Sequence, residues 1–440
     1  MVRRGYCNLQ GDYRPEVLSA MKNFVPRQVL PQGLAGQRLW HAWELILAAV
    51  LVAWSRSSTA GDRFDEARLS LRQWWPKKAL GETYSGFIKA LVRFSELLLQ
   101  AVTAALRRAM VEVAGPHRRR EGWEAFAVDG SRIECPRTAA NEAVLHRAGR
   151  QKTGPQVFLT VLYHMGTGLP WAFRTGPGTD SERTHLREML GELPAESLAV
   201  ADAGFMGYEL LSELLESGRH ALFRVGHNVT LLRELGYAME PRGDTVYLWP
   251  QAAQKGSWPP LVLRLIVVGK GRHRVYLVTD LPEEALSQEQ AEVLYRLRWG
   301  VEVFYRSLKQ TLGRRRMLSH APQQALCEVA WSLVGLWLLG LMSVQEIVRR
   351  GKDPLGLSVA LALRHVRQAL RQDRRSVDGR WLQQGLAAAL KDGYRRRGPK
   401  KARSWPHKKR ERPPGAPKIL IAAQEQVMLS QKVKNPNAAA

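Results

Sequence analysis

Cysteine is scarce: Cys7, Cys135 and Cys327 are the only three in 440 residues. They lie far apart without metal-ligand spacing. That excludes a disulfide framework or a cysteine-built zinc site and points to a reducing, cytoplasmic compartment. Acidic residues are also under-represented, 40 against 66 Lys and Arg, for a formal charge of +26 and a pI near 10.5. Such an imbalance points to a polyanionic partner, usually nucleic acid; the alternative is an unrelated enzyme with a basic composition. The opening residues MVRRGYCNLQGDYRPE lack the apolar stretch of a signal peptide. Long hydrophobic runs are few. The run 45–54 is far short of the roughly 20 residues that span a bilayer. The run 329–344 is uncharged but contains Ser332, Gly335, Gly340 and Ser343, and reads as a buried helix rather than a membrane span. With 45% hydrophobic residues the chain can bury a core, so global disorder is excluded. At roughly 100–200 residues per domain the length suits two to four domains.

Along the chain, 1–115 reads as helical, with long patterns over 39–56 and 84–113 separated by Trp74-Trp75-Pro76 and Gly81. A basic linker, Gly115-Pro116-His117-Arg118-Arg119-Arg120, follows. Strands are then expected at 125–128, 157–163, 169–173, 197–201 and 221–225, with helices over 182–193 and 208–216. This is the pattern of an α/β sheet covered on both faces. Residues 227–289 read as a β-rich insertion, with strands at 245–249, 261–268 and 275–279 and a turn at Gly269-Lys270-Gly271-Arg272. One long helix is expected over 290–312 and another over 322–350. Beyond 351 the chain is basic and helical, then loses pattern. Between Arg395 and Arg412 there are ten Lys or Arg and one acidic residue, Glu411. That stretch is a solvated tail, a DNA-backbone arm, or both.

Asp129 and Asp202 each follow a short apolar run, in AFAV-Asp-Gly and LAVA-Asp-Ala-Gly. Functional groups gather at the carboxyl ends of strands in α/β sheets, and Gly130, Ala203 and Gly204 leave room for a ligand. Each aspartate alone is equally a turn former or helix cap. The segment YRLRWGVEVFYRSLK is more informative. On a helix advancing about 100° per residue, Tyr295, Arg298, Glu302 and Lys309 fall within roughly 60° of one another. Leu294, Leu297, Val301, Phe304, Leu308 and Leu312 occupy a separate arc. One carboxylate thus shares a face with two cations and a phenol; an exposed Arg–Glu pair is the plainer alternative. Asp180 and Glu182, in TDSER, read as a helix N-terminal cap. His164, His185 and His227 lack ligand spacing.

The spacing of Tyr295, Arg298, Glu302 and Lys309 resembles the signature of the DDE transposases of bacterial insertion sequences, of the IS-four-like type. The flanks VDGSRI, ADAGFMGY and MLSHAPQQAL are similar as well, and the resemblance covers about 120–350. It implies a ribonuclease-H-like catalytic core over 120–350 interrupted by the insertion, preceded by a helical DNA-end-binding domain over 1–115 and followed by a basic region, 351–440. It implies two Mg²⁺ ions, which Mn²⁺ can replace, held by Asp129, Asp202 and Glu302, because phosphodiester chemistry needs both an activated nucleophile and a stabilised leaving oxygen. Tyr295, Arg298, Arg306 and Lys309 are then expected on DNA. The partners implied are transposon ends and target duplex, bound by a homodimer on paired ends at the nucleoid. Related transposases with such an insertion form a hairpin on the transposon end, so Trp249, Trp258 and Tyr276 are candidates to stack on a displaced base. A nuclease without strand transfer, or an inactive DNA-binding descendant, are the alternatives; the presence of all three carboxylates argues against the second.

Overall fold

The computed structural model describes residues 16–31, 34, 39–146, 154–271, 274–372, 380–392 and 415–434. Cys7 and the basic stretch 395–412 lie outside the described residues. Four α-helices open the described residues: α1 (Glu16–Phe24), α2 (Ala42–Trp54), α3 (Ala60–Trp74) and α4 (Tyr84–Ala114). The side chains of Thr59 and Thr83 cap α3 and α4 by accepting the N–H groups of Asp62 and Gly86. The long α4 stops at Gly115, whose φ of 49° suits a residue without Cβ.

Next come β1 (Ala125–Glu134), α5 (Ala139–Leu145), β2 (Gln156–His164), β3 (Leu169–Pro177), α6 (Glu182–Met189), β4 (Leu198–Ala201), α7 (Tyr208–Glu216) and β5 (His220–Val225). The stretch expected to be an insertion supplies β6 (Thr230–Arg233), β7 (Thr245–Leu248), α8 (Gln251–Lys255), β8 (Leu261–Val268) and β9 (Val275–Thr279). It is not a separate body. β9 pairs antiparallel with β5, so one sheet runs through both parts.

The chain continues through α9 (Gln288–Leu297), α10 (Gly300–Arg306), α11 (Pro322–Arg349), α12 (Val359–Gln372) and α13 (Trp381–Ala387), and then β10 (Lys418–Ile421) and α14 (Gln424–Lys434). The last two correct the expectation of a patternless tail. β10 pairs in parallel with β6, and α14 is held through Ser430, Gln431 and Lys434 to the carbonyls of Leu235, Gly236 and Tyr237. The KILI run is too short to stand out from the surrounding basic sequence. Among the described residues the sheet has ten strands in the order β10-β6-β7-β8-β9-β5-β4-β1-β2-β3.

The uncharged run 329–344 lies inside α11, the one described helix long and apolar enough to cross a membrane. Its apolar side chains are buried against α2 and α4, as expected of a core helix. Gly335 permits the crossing with α2: a Cβ there would lie 2.8 Å from the Ala53 methyl, and the Gly335 carbonyl accepts the Trp54 indole N–H at 2.9 Å. The opening helices therefore share one continuous hydrophobic core with the sheet. Cys135 and Cys327 are free and buried.

Candidate active site

The two aspartates are placed by sheet register. β1 pairs in parallel with β4 as Ala125↔Leu198, Phe126↔Ala199 and Ala127↔Val200. Continued at the same offset, Asp129 and Asp202 fall on one row of adjacent strands, whose axes lie about 4.8 Å apart. Asp202 stands just beyond the end of β4, as expected. Asp129 does not end its strand: β1 continues through it to Glu134, and Asp129 pairs with Val161 of β2. It stands at the mouth of the site because its parallel neighbour stops, not because β1 does. Each carboxylate accepts the N–H of the next residue, Gly130 at 2.9 Å and Ala203 at 2.8 Å.

The single long helix expected over 290–312 is broken. Ser287 and Gln290 form a capping box that starts α9, which ends at Leu297. Arg298 and Trp299 make a tighter turn, with Val301 N–H bonding the Arg298 carbonyl, before α10 begins. Residues Ser307–Thr311 then widen into a π turn. Gly300 allows the close approach at this break, since a Cβ there would lie 2.9 Å from the Tyr163 ring. The apolar arc still packs inward through Leu294, Val301, Phe304, Leu308 and Leu312, with Leu297 only half-buried.

The break leaves the four signature side chains around the aspartates. The Tyr295 hydroxyl donates to Asp202 Oδ1 at 3.2 Å. The Arg298 guanidinium lies 5.4 Å from the Tyr295 ring centre and reaches Glu302 Oε1 at 3.5 Å. Lys309 Nζ donates to Ser131 Oγ at 2.7 Å. Arg298 is 8% exposed, and its buried Nε finds no hydrogen-bond partner among the described residues. Burial, with Glu182 close by, pushes the Asp129 carboxyl up to about 7, against the pull of Arg298 and the Gly130 N–H. Burial and the Asp202 carboxylate raise the Tyr295 phenol, while burial and Arg315 lower Lys309.

These are hard oxygen donors of the kind that bind Mg²⁺ or Mn²⁺. Burial is the main cause of the Asp129 shift, and the neighbouring carboxylates of Glu182 and Glu302 add to it. Among the described residues no three of His, Cys, Asp or Glu are drawn together tightly enough to grip one ion as they stand. The donor set suits a divalent cation as an open site, with Glu302 turned toward Arg298.

Two residues of this neighbourhood were not assigned to it from the sequence: Arg224 went unmentioned, and Glu182 read as a helix cap. The β4–β5 register puts Arg224 on the row of Asp202, and its guanidinium lies 3.6 Å from Asp202 Oδ1. Glu182 does not cap α6; Ser181 does, accepting the Arg183 N–H. Glu182 is the next residue, half-buried, with Oε2 3.1 Å from the place a Cβ on Gly130 would take. Gly130 therefore leaves room for the Phe158 ring and for Glu182 rather than for a ligand directly. Asp180 bonds His185 Nε2 at 3.1 Å, and His185 Nδ1 bonds Thr160 at 2.9 Å, a buried brace at the base of α6. The signals available were a strand-pairing guess for the arginine and, for the glutamate, its place at the start of α6.

The remaining candidates lie elsewhere. Arg306 is exposed at the end of α10. Trp249 is 3% exposed and gives its indole N–H to the Trp258 carbonyl, so it offers no free ring face. Trp258 is 49% exposed and stacks on Tyr208 with centroids 6.0 Å apart. Tyr276 is half-buried on β9, opposite Val225. Trp299, not among the candidates, is 54% exposed at the helix break.

A ten-stranded mixed sheet flanked by helices, with two aspartates on one row facing a glutamate on a broken helix, defines an α/β protein with a carboxylate-lined site. The family described as transposase DDE domain matches residues 122–338, and this segment is similar to transposases of IS4-type insertion sequences. It is 28% identical over 231 residues to the transposase InsG for insertion sequence element IS4 of Escherichia coli (strain K12), covering 49% of this chain and 50% of that protein. It is 21% identical over 189 residues to a putative transposase for insertion sequence element IS4SA of Synechocystis, covering 42% of this chain and 52% of that protein. The chain thus spans about half the length of the curated relatives it matches. A cryo-EM structure of the piggyBac transposase synaptic complex with hairpin DNA is similar at TM-score 0.43 and 12% identity, over 89% of each chain. DDE-domain transposases generally work with divalent metal ions.

Proposed function

We propose that the chain is a DNA transposase that cleaves strands at transposon ends and joins them to target DNA, with Asp129, Asp202 and Glu302 as its catalytic carboxylates. The observation that carries this reading is the shared row of Asp129 and Asp202 beneath the helix that presents Glu302. The strand order β3-β2-β1-β4-β5, in which only β2 runs against its neighbours, supports a ribonuclease-H-like core. A helical end-binding domain over 1–115, a basic region over 351–440 and a homodimer on paired ends belong to the same proposal.

Two Mg²⁺ ions, or Mn²⁺ in their place, would lower the pKa of the attacking water or 3′-hydroxyl and stabilise the leaving oxygen. The protein's own groups set the geometry. Tyr295 and Arg224 orient Asp202. Arg298, with an unpaired Nε beside Glu302, is placed to hold a phosphate through two N–H groups. Lys309, held by Ser131, adds a point charge further along β1. Exposed Arg306 suits the flanking backbone, and Trp258 or Tyr276 a displaced base.

Incubating the protein with Mg²⁺, an end-containing duplex and a target plasmid tests this reading. Joined products are expected from the wild type. Asp129→Ala, Asp202→Ala and Glu302→Ala should each abolish cleavage and joining while leaving DNA binding largely intact, because affinity comes mainly from phosphate contacts elsewhere. Cleavage without joining would make the protein a nuclease; full strand transfer by Glu302→Ala would overturn the assignment.

A further inference from the structure

α12 carries three arginines, Arg364, Arg367 and Arg371, and no acidic residue. At about 100° per residue the three fall within roughly 60° of one another, on a stripe separate from Ala362, Leu363 and Val366. Those apolar side chains are buried, whereas Arg364 and Arg371 are exposed and Arg367 is half-buried. The helix packs against the π turn that carries Lys309, so the stripe lies one element away from the candidate site.

A fourth arginine joins them from a distant part of the chain. The Arg367 guanidinium donates to the Trp54 carbonyl at 2.6 Å and to that of Ser55 at 3.4 Å, which sets α12 against the end of α2. The next residue, Arg56, is exposed. Arg367 registers the crowding: burial, then Arg56 and Arg371, bring its pKa down to about 10. Glu66, the carboxylate that acts on it, already accepts the hydroxyls of Ser55 and Ser57, each at 2.6 Å. Among the described residues Arg56, Arg364 and Arg371 form no ion pair. Like charges three or four residues apart destabilise a helix, and no counter-charge within the protein offsets these. A polyanion laid along the stripe would.

We infer that Arg56, Arg364 and Arg371 form a docking surface for the backbone of duplex DNA, outside the carboxylate site, with Arg367 fixing α12 to α2 beneath it. The inference rests on the DNA-acting reading proposed above. Arg364 and Arg371 stand about 10 Å apart along the helix axis, a span of about three phosphates of one strand. Guanidinium groups suit phosphate oxygens, and phosphate contacts carry no sequence information directly, so the surface should hold any duplex. The alternative is a helix face that is only solvated.

The test is fluorescence anisotropy of a labelled duplex of arbitrary sequence with the full-length protein across a salt series. In the double variant Arg364→Gln, Arg371→Gln the slope of log K against log salt should become shallower by about 1.8, the loss of two phosphate contacts. Adding Arg56→Gln should take off about 0.9 more. The pair Arg364→Lys, Arg371→Lys keeps the charge and should keep most of the wild-type slope. The pair Lys255→Gln, Lys270→Gln removes the same charge from exposed positions elsewhere and should leave the slope as it is. If the arginine double variant unfolds early, Arg364→Gln and Arg371→Gln made singly carry the test, each expected to take off about half as much. A wild-type slope after loss of the arginines would overturn the surface and leave DNA binding in place. Equal flattening in the lysine pair would reduce the effect to net charge and overturn it too. A wild-type protein that binds no duplex would overturn the DNA-acting reading itself.

Discussion

The Tyr305 hydroxyl donates to the backbone carbonyl of Asp129 at 2.7 Å and also lies 3.1 Å from that of Leu159. A side chain three residues past Glu302 thus ties the glutamate-bearing helix to the strand that carries the first aspartate. The phenol is buried, and burial holds its pKa well above the usual value, so it stays a donor at all working pH. Tyr305→Phe leaves buried carbonyls without that donor and should cost about 1–2 kcal/mol in urea unfolding. Strand cleavage should fall by roughly tenfold, since small misplacements in a site of this kind are expensive, with DNA affinity unchanged. Unaltered cleavage would show that α10 is positioned by its apolar face alone.

Arg298 at the helix break and Lys309 within the π turn both reach the site, one buried with no partner at Nε among the described residues, the other held by Ser131. Arg298→Lys keeps the charge but loses the planar pair of donors. It should reduce cleavage at least tenfold and change bulk DNA affinity by less than about twofold. The double variant Arg298→Ala, Lys309→Ala should also fail to assemble a stable end complex in gel-shift experiments. Normal turnover in that double variant would remove both residues from the site.

His164 provides a pH signal separate from the site. It packs between Phe126 and Trp171, accepts the Thr167 N–H at Nδ1 and meets the Arg118 carbonyl at Nε2. Both contacts suit the neutral ring with its proton on Nε2, and burial lowers its pKa from 6.5 to about 4. A depressed folded-state pKa means that stability is fully present above about 6.5 and is lost as the pH falls through about 4. The unfolded chain binds the proton first. The loss should approach about 2–3 kcal/mol. Urea unfolding of wild type against His164→Gln across pH 4–7 checks this: the variant should show a shallower decline.

Arg314 joins the opening helices to the rest of the chain. It is 1% exposed, and its guanidinium donates to the Val52 and Ala53 carbonyls at the end of α2, to Leu312 and to Ser332. The last carbonyls of a helix have no partner within it, and this arginine supplies one. Arg314→Met fills a similar space but leaves several buried carbonyls bare. It should destabilise the protein by about 3 kcal/mol or more, read as a fall in the unfolding temperature. A variant as stable as wild type would mean that α2 docks through its apolar face alone.

Affinity for DNA should fall steeply with salt, by about 0.9 in log K per phosphate contact and decade of salt. Because residues 418–434 return to the sheet, removing everything after Tyr394 would also remove β10 and α14. The charge of 395–412 is better tested in place, by changing its ten Lys and Arg to Ser or Gln. A shallower slope with an unchanged unfolding temperature is expected. An unchanged slope would leave the stretch without a role on DNA.

The buried nature of α11 was legible in the sequence, and so was the choice of Asp129, Asp202, Glu302 and the signature side chains as candidates. All are encoded locally: an apolar run before an aspartate, a fixed spacing on a helix, an uncharged stretch broken by small residues. Tertiary structure decided the rest. Asp129 and Asp202 share a row because β1 and β4 pair at one offset, a long-range register that no local pattern reveals. Arg224 joins them by the same register. Helical periodicity assumed an even 100° per residue, and the turn at Arg298 and the π turn at Ser307 break that assumption. Glu182 read as a cap because its partners, Gly130 and Asp129, are more than fifty positions away along the chain. β10 had no pattern of its own, since an edge strand draws its structure from the hydrogen bonds its neighbour offers, and here the neighbour is β6.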